Sequence, residues 1–299
     1  MFNKKDLLKL ISSILGVIIL FGIVLSFIIW FFQDKILFYP SHDENGYQYL
    51  LKDDSFEQIK IEKDDYILHG WLKRNSDFDV SPLVIYFGGN AQNSSRSFSN
   101  YNDDNFFKYF GNYNVLYVDY PGYGLSTGKP TGSSILQAGL DIYDYATELE
   151  YVDKNNIVIL GFSIGTGVAN YVASLRSING LILLAPYDDL INMYNDNLNI
   201  FYGPLKLLVK HKIISYKYAT KVKVPPIIIF TKDDEVINYK HSINLTKYFN
   251  NVENTIILNG FGHNDFFAQQ IVLENIYNYL NKRTWKKIEN NSIFYFIPL

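Results

Sequence analysis

The chain has 299 residues, of which 48% are hydrophobic and 17% aromatic, and its formal net charge is −3. This composition supplies a large core and is unlike that of disordered chains. A weakly negative chain without a basic patch excludes a typical nucleic-acid-binding protein, so we expect no nucleic-acid partner. The chain has no cysteine, which excludes disulfides, thiolate catalysis and cysteine-ligated zinc. We expect no bound metal and no cofactor.

The first element in chain order is a long apolar segment, residues 7 to 32, whose single charged residue is Lys9. As a helix it would extend roughly 39 Å at about 1.5 Å per residue, which exceeds the ~30 Å hydrocarbon core of a bilayer. Trp30 lies near its end, where aromatic residues meet the membrane interface. We therefore expect residues 1–33 to be an uncleaved anchor that contacts the lipid bilayer through residues 7–32. The alternative, a cleaved signal peptide, lacks an A-x-A cleavage motif here.

The lysines around this segment predict its orientation. Lys4, Lys5 and Lys9 lie at its start, whereas Lys35, beside Asp34, is the one basic residue close behind it. Positive flanks usually stay in the cytoplasm. We expect a single-pass protein with a cytoplasmic N-terminus, and a domain of residues 34–299 on the extracytoplasmic side, periplasmic or lumenal.

Apolar strand patterns alternate with helical patterns through the rest of the chain. The predicted strands are residues 56–62, 66–73, 83–87, 114–118, 157–160, 181–184, 227–230 and 255–258. The predicted helices are residues 134–150, 165–176, 239–249 and 265–281. Continuous apolar strands between helices indicate an α/β domain with a mostly parallel central sheet and helices on both faces. The first two strands, joined by a charged turn, indicate an antiparallel hairpin at the start of that sheet.

Residues 187–224 form a long connection between two predicted strands. They are rich in apolar and aromatic residues, which is unusual for a structureless loop. We interpret them as a short helical lid over the site. The alternative is an ordinary crossover helix with long flanks.

A Gly-Phe-Ser-Ile-Gly sequence at residues 161–165 follows one predicted strand and opens the next helix. This G-x-S-x-G pattern in a strand–turn–helix context is typical of a turn that exposes a nucleophilic serine. Glycines are needed there because the backbone is strained and closely packed. We predict Ser163 to be the nucleophile.

A serine nucleophile needs a base, and the base needs a carboxylate to orient it. His263 lies in a glycine-rich loop after the last predicted strand, so we predict it to be the base. His42, His69, His211 and His241 lack such a setting, and we expect them to be surface or packed residues.

The sequence offers several carboxylates for the acid. Asp234 is our prediction, with its neighbour Asp233 in reserve, because both directly follow an apolar strand. Asp188 and Asp189 are weaker candidates after an earlier strand.

Acyl transfer also needs N–H donors for the developing oxyanion. One is predicted to be the backbone N–H of Ile164, the residue after the serine. The loop Gly88-Gly89-Asn90-Ala91 follows an early strand, and the N–H of Asn90 is the best candidate for the second donor, with Ala91 the other. The alternative is a plain glycine turn.

Together these pieces resemble the α/β-hydrolase superfamily, and most of all its membrane-anchored esterase-type branch, which is related to serine aminopeptidases. The resemblance covers roughly residues 36–280 and rests on six motifs, which are Phe38-Tyr39-Pro40-Ser41, Phe87-Gly88-Gly89-Asn90-Ala91, Asp119-Tyr120-Pro121-Gly122-Tyr123-Gly124, Gly161-Phe162-Ser163-Ile164-Gly165, Asp234-Glu235-Val236-Ile237 and Gly262-His263-Asn264-Asp265. It implies Ser163 as nucleophile, Asp234 as acid and His263 as base, in the Ser–Asp–His chain order of that superfamily.

The chain departs from the superfamily pattern in two places. Gly88 stands where related proteins usually have a histidine that braces the oxyanion loop, so this loop is expected to be softer. Thr166 stands where another glycine is common, and we expect it to change helix packing slightly. Asp119 is expected to be structural rather than catalytic.

These features predict a serine hydrolase that cleaves ester or thioester bonds through an acyl-enzyme. The anchor and the aromatic lid favour a lipid, acyl-glycerol or acyl-protein substrate, although the anchor would equally localise an enzyme for a soluble ester. One alternative is a peptidase or amidase of the same fold. Another is a membrane-tethered binding protein on a catalytically silent hydrolase fold.

Overall fold

The computed structural model describes residues 3–75, 77–102, 106–199 and 201–290. Eight strands form one sheet in the order β1-β2-β4-β3-β5-β6-β7-β8. The strands are β1 (Phe56–Glu62), β2 (Ile67–Lys73), β3 (Ser81–Phe87), β4 (Asn114–Val118), β5 (Val152–Phe162), β6 (Gly180–Leu184), β7 (Ile227–Thr231) and β8 (Asn254–Leu258). Strand β2 pairs antiparallel with β1 and with β4, and every later pairing is parallel. The predicted mixed, mostly parallel sheet with its N-terminal hairpin is confirmed.

Nine α-helices occur in the described residues. They are α1 (Lys4–Leu37), α2 (Glu44–Leu50), α3 (Ser94–Asn102), α4 (Gly132–Glu148), α5 (Gly165–Leu175), α6 (Leu190–Leu198), α7 (Ser215–Ala219), α8 (Tyr239–Thr246) and α9 (Gln270–Asn290). Three short 3-10 helices, Phe106–Phe110, Gly203–Leu208 and His263–Ala268, complete the set.

The helices cover both faces of the sheet because the central strands are apolar on both sides. Alternate residues of β3 point to opposite faces: Leu83 and Ile85 join one core cluster, whereas Val84 and Tyr86 join the other. The first cluster is closed by α4, α5, α8 and the end of α1. The second is closed by α2, α3 and α9. This two-sided burial is what a continuous apolar strand predicts.

The structure differs from the predicted elements mainly at their ends. Strand β5 begins at Val152 rather than at residue 157. The helix predicted for residues 265–281 is wrong at its start, because His263–Ala268 forms a 3-10 turn and α9 begins only at Gln270. Helix α3 was not predicted, since its sequence Ser-Ser-Arg-Ser-Phe-Ser-Asn-Tyr-Asn has no apolar periodicity. It is fixed by the burial of Phe98 instead.

Helix α1 is the one described helix long and apolar enough to cross a membrane. Most of its apolar side chains between residues 7 and 32 are exposed, and Leu20 is 62% exposed. Near the end of this stretch, Ile29 packs against the domain core and the Trp30 ring lies 4.1 Å from the Lys210 Nζ. The helix continues without a break past the predicted boundary at residue 33. Its last turn packs into the domain, where the side chains of Gln33 and Leu37 have no exposed surface. The end of α1 and the domain core are therefore one packed unit.

Residues 187–224 contain α6, the 3-10 helix Gly203–Leu208 and α7. This segment, called the lid below, begins beside the serine turn, where the Tyr187 hydroxyl donates to the carbonyl oxygen of Ile164 at 3.2 Å. The Tyr194 hydroxyl donates to the carbonyl oxygen of Leu37 at the end of α1, at 2.6 Å. The lid is thus hydrogen-bonded both to the end of α1 and to the turn after β5.

Candidate active site

Ser163 lies at a sharp turn between β5 and α5 with a backbone φ of +55°, in the left-handed region that glycine usually occupies. The flanking glycines are required by close contacts. A Cβ at Gly165 would lie 2.1 Å from the carbonyl oxygen of Phe87, and one at Gly161 would lie 2.8 Å from the Cβ of Ala169. Backbone strain of this kind at a non-glycine residue is common at functional positions.

A continuous chain of hydrogen bonds joins Ser163, His263 and Asp234. The His263 Nε2 lies 2.9 Å from the Ser163 Oγ, and its Nδ1 lies 2.7 Å from the Asp234 Oδ2. The side chains of His263 and Asp234 are only 6% and 1% exposed. The Phe162 ring stacks on the imidazole with a centroid distance of 5.0 Å. The arrangement can take a proton from the serine while the carboxylate keeps the imidazole in one tautomer.

The three adjacent acids after β7 make three different contacts. Asp234 uses its other oxygen, Oδ1, to accept from the N–H groups of Val236 and Ile237, which fixes the carboxylate. Asp233 accepts from the N–H of Gly260 at 2.6 Å. Glu235 accepts from the backbone N–H of His263 at 3.0 Å. Asp234 alone of the three contacts the imidazole, and its two neighbours hold the loop that carries it.

The loop after β3 packs directly against the serine. A Cβ at Gly89 would lie 3.3 Å from the Ser163 Cβ, and the N–H of Gly89 is already donated to the Gln92 Oε1 at 2.7 Å. Within the described part of the chain, the backbone N–H groups of Asn90, its alternative Ala91, and Ile164 have no acceptor. Two free donors close to a buried serine are what an oxyanion requires.

The Asn90 side chain uses all of its hydrogen-bonding capacity. Its Nδ2 donates to the carbonyl oxygen of Leu37 at 2.9 Å and to the Tyr194 hydroxyl at 3.3 Å. Its Oδ1 accepts from the N–H of Tyr39 at 2.9 Å and from the Tyr123 hydroxyl at 2.7 Å. The end of α1, the lid and the Asn90 loop therefore meet at one side chain. Sequence reasoning missed this role, and the Phe-Tyr-Pro-Ser motif after the anchor is the signal that could have indicated it.

The weaker acid candidates lie elsewhere. Asp189 caps α6 by accepting from the N–H of Ile191 at 2.9 Å. Asp188 lies 2.7 Å from the Nδ1 of His241, whose Nε2 lies 3.0 Å from Asp196. Burial alone would lower the pKa of His241, but the two carboxylates outweigh it and raise the pKa above its usual 6.5.

The remaining histidines also have contacts away from Ser163. His42 contacts the carbonyl oxygen of Gly124, and His69 lies in β2. His211 lies 2.6 Å from Asp34 and accepts from the N–H of Gly132 at 3.1 Å.

The two departures from the superfamily pattern have clear contacts. A Cβ at Gly88 would lie 2.0 Å from the hydroxyl of Tyr117, so no larger residue fits unless that ring moves. Thr166 is fully buried and its hydroxyl donates to the carbonyl oxygen of Ser163 at 2.7 Å. Thr166 therefore supports the serine turn directly, which goes beyond the small change in helix packing that its position predicted.

Asp119 is buried, and it accepts from both the backbone N–H and the hydroxyl of Ser94, at 2.6 and 2.8 Å. Burial nevertheless raises the pKa of Asp119 to about 7. These contacts anchor the start of α3.

The parallel sheet, the serine turn and the lid define an α/β-hydrolase, and comparisons with known proteins agree. No protein-family profile matches the chain. It is 27% identical over 170 residues to the alpha/beta hydrolase domain-containing protein aho-3 of Caenorhabditis elegans, covering 57% of this chain and 49% of that protein. It is 28% identical over 171 residues to the human alpha/beta hydrolase domain-containing protein 17C, covering 57% and 50%. The matches span about half the length of these curated relatives.

Among solved structures, an esterase of Pyrococcus furiosus superposes with a TM-score of 0.63 at 17% identity, covering 84% of this chain and 98% of that one. At that identity the likeness concerns the fold. Together with the curated relatives, it supports the α/β-hydrolase superfamily for this chain.

Proposed function

We propose that the protein is a membrane-anchored serine hydrolase that cleaves carboxylic ester or thioester bonds through an acyl-enzyme on Ser163. The observation that carries the proposal is the hydrogen-bonded chain from Ser163 through His263 to Asp234, with bonds of 2.9 and 2.7 Å. The esterase named among the structural neighbours supports the same reaction class.

In the proposed reaction, the His263 Nε2 takes the proton of the Ser163 hydroxyl while the Oγ attacks the carbonyl carbon of the substrate. The tetrahedral intermediate places its negative oxygen toward the N–H groups of Asn90 and Ile164. Collapse breaks the bond to the alcohol or thiol, which leaves with the proton from His263. A water molecule then gives its proton to His263 and attacks the acyl-enzyme, which releases the acid and restores Ser163.

The position of the site beside α1 supports an acylated substrate from the membrane, such as a lipid, an acyl-glycerol or an acyl-protein. The carbonyl oxygen of Leu37, the last residue of α1, accepts hydrogen bonds from both the Asn90 side chain and the Tyr194 hydroxyl. An uncleaved anchor is supported by the unbroken helix from Lys4 to Leu37, whose last turn buries Gln33 and Leu37 in the domain. The side of the membrane that carries the domain stays a prediction, and protease accessibility in spheroplasts tests it. A protected domain would contradict the extracytoplasmic orientation.

Fluorophosphonate labelling of the purified full-length chain tests the nucleophile. We expect the wild-type protein to be labelled and Ser163→Ala to lose both labelling and ester hydrolysis. Ser174→Ala is the matched control, because Ser174 lies on α5, the helix that follows Ser163, and its hydroxyl donates to the carbonyl oxygen of Tyr171. Labelling or hydrolysis that persists in Ser163→Ala would refute the mechanism.

A substrate panel tests the substrate class. We expect turnover of long-chain acyl-glycerols or acyl-thioester peptides in detergent micelles, in addition to short p-nitrophenyl esters. Hydrolysis restricted to the short esters would remove the lipid part of the proposal and leave the serine mechanism intact.

A further inference from the structure

We propose that residues 202 to 212 of the lid, called the lid tip, form a second membrane contact that docks onto anionic phospholipid headgroups beside α1. This inference rests on the proposed membrane span of α1. The bilayer is the one occupant proposed, because the lid tip is continuous with the segment expected to cross it. Three independent features of the lid tip support this.

The first feature is its position. The Gln33 side chain, one residue beyond the apolar part of α1, donates from Nε2 to the carbonyl oxygen of Leu208 at 2.6 Å and accepts from the N–H of Lys210 at 2.9 Å. Gln33 is completely buried. The adjacent Asp34 lies 2.6 Å from the Nε2 of His211. These bonds fix the lid tip at the level where α1 leaves the bilayer.

The second feature is exposed apolar surface. None of the residues of the 3-10 helix Gly203–Leu208 is buried. Leu207 is 88% exposed and Tyr202 is 51% exposed. Leu207 has the largest exposed fraction of the apolar side chains in the described residues, above those of α1 itself. A leucine and a tyrosine held out beside a membrane helix fit the apolar–polar boundary of a bilayer.

The third feature is charge. Residues 201 to 224 contain six lysines and no aspartate or glutamate, in a chain whose net charge is −3. Lys206 and Lys212 of the lid tip line one surface depression together with Asp189 and Asn192. The Lys210 Nζ lies 4.1 Å from the centre of the Trp30 ring and 3.9 Å from Asp34. Lysines next to apolar side chains at a bilayer surface favour anionic lipids.

The docked lid tip connects to the site through the same segment. Tyr194 of α6 contacts both Leu37 and Asn90, and α6 precedes the lid tip by a few residues. Lipid contact at the lid tip therefore acts on a segment that is hydrogen-bonded to the loop beside Ser163. A substrate in the bilayer would meet the lid before it meets the serine.

A site-specific label tests the docking, because the chain has no natural cysteine. Full-length Leu207→Cys carrying an environment-sensitive fluorophore is reconstituted into phosphatidylglycerol–phosphatidylcholine vesicles with or without nitroxide-labelled lipid. We expect the label to shift to the blue and to lose most of its fluorescence with the nitroxide lipid. The matched control is Leu175→Cys, which is 48% exposed at the far end of α5. Its label should remain unquenched.

Two further samples separate the possible failures. Adding Lys206→Glu and Lys212→Glu to the labelled chain should reduce quenching in the phosphatidylglycerol vesicles, and pure phosphatidylcholine should do the same. A label at Leu20 reports whether α1 itself is in the bilayer. If Leu20 is quenched and Leu207 is not, the lid proposal is wrong while the anchor stands. If neither is quenched, both are wrong.

The remaining outcomes are equally decisive. A blue shift at Leu207 that depends on protein density, without quenching by lipid, would identify a second copy of the chain as the occupant and overturn the proposal. Ester hydrolysis and fluorophosphonate labelling are measured on the same vesicles. A quenched Leu207 label in an inactive wild-type chain would support docking and refute only the proposed function.

Discussion

At the scale of single residues, the three acids after β7 illustrate how close groups take separate tasks. Because the three acids directly follow β7, the sequence predicts that they lie at the carboxyl edge of the sheet. The sequence does not decide between Asp234 and Asp233, so Asp234 was predicted as the acid and Asp233 as the reserve. The structure separates them by contact: Asp234 with the imidazole, Asp233 with Gly260 and Glu235 with the His263 backbone. Angstrom-scale differences of this kind depend on the fold of the loop, which local sequence does not encode.

The substitution Asp234→Asn should lower kcat for a short ester by about 10⁴, because an amide no longer holds the imidazole in the useful tautomer. Steady-state kinetics with a p-nitrophenyl ester measure this. Asp233→Asn is the control, since Asp233 contacts Gly260 and not the imidazole, and it should cost far less. Equal losses in the two variants would argue against Asp234 as the acid.

The substitution Asn90→Ala should lower kcat by up to about 10², because the backbone donor remains while the loop that positions it loses four hydrogen bonds. KM for a short ester should change much less. Tyr194→Phe removes only one of the four partners and should have a smaller effect. An unchanged kcat in Asn90→Ala would contradict the role of this side chain.

At the scale of elements, periodic patterns predicted the eight strands and four of the helices that cover them, α4, α5, α8 and α9, but neither α2 nor α3. They could not predict α3, because its position depends on Phe98 packing and on the Asp119–Ser94 contacts between distant residues. The 3-10 turn at His263–Ala268 was also missed, since a short turn and the first turn of a helix have the same local pattern. Four predicted site segments lie at or just after the ends of parallel strands, which is why the order of the strands was enough to place them. They are residues 88–91, 161–165, 233–235 and 262–265.

The contact between α6 and α8 should depend on pH. The pKa of His241 is raised by Asp188 and Asp196, so its contribution to stability is fully present below about pH 6.5 and is lost as the pH rises through the raised value. The effect is on the order of 1 kcal/mol or less, because Asp196 is 43% exposed and screened by solvent.

Hydrogen exchange of the α6 amides, corrected for intrinsic rates, measures this effect. Protection should fall as the pH rises above about 6.5 in the wild-type protein, because the raised pKa of His241 places the loss of its charge above that value. In His241→Gln it should be low throughout. The same pH dependence in both proteins would assign the effect to other groups.

At the scale of the whole molecule, the last turn of α1 belongs to the domain core. Leu37→Ala should destabilise the protein by about 2–5 kcal/mol, the usual cost of removing a fully buried leucine side chain. Thermal unfolding in a constant detergent measures the loss. Leu20→Ala is the matched control, because Leu20 is 62% exposed on the apolar part of the same helix. Equal melting temperatures in the two variants would show that the anchor end is not integrated.

The central claim is that the protein forms an acyl-enzyme on Ser163, and trapping that intermediate tests it most directly. The full-length chain is mixed with a slowly deacylating ester, quenched in acid and digested, and the peptides are examined by mass spectrometry. We expect one acyl group, on Ser163 in the peptide that contains Gly161 and Gly165, and none in Ser163→Ala. Ester turnover with an unmodified Ser163, or turnover that survives in Ser163→Ala, would contradict it.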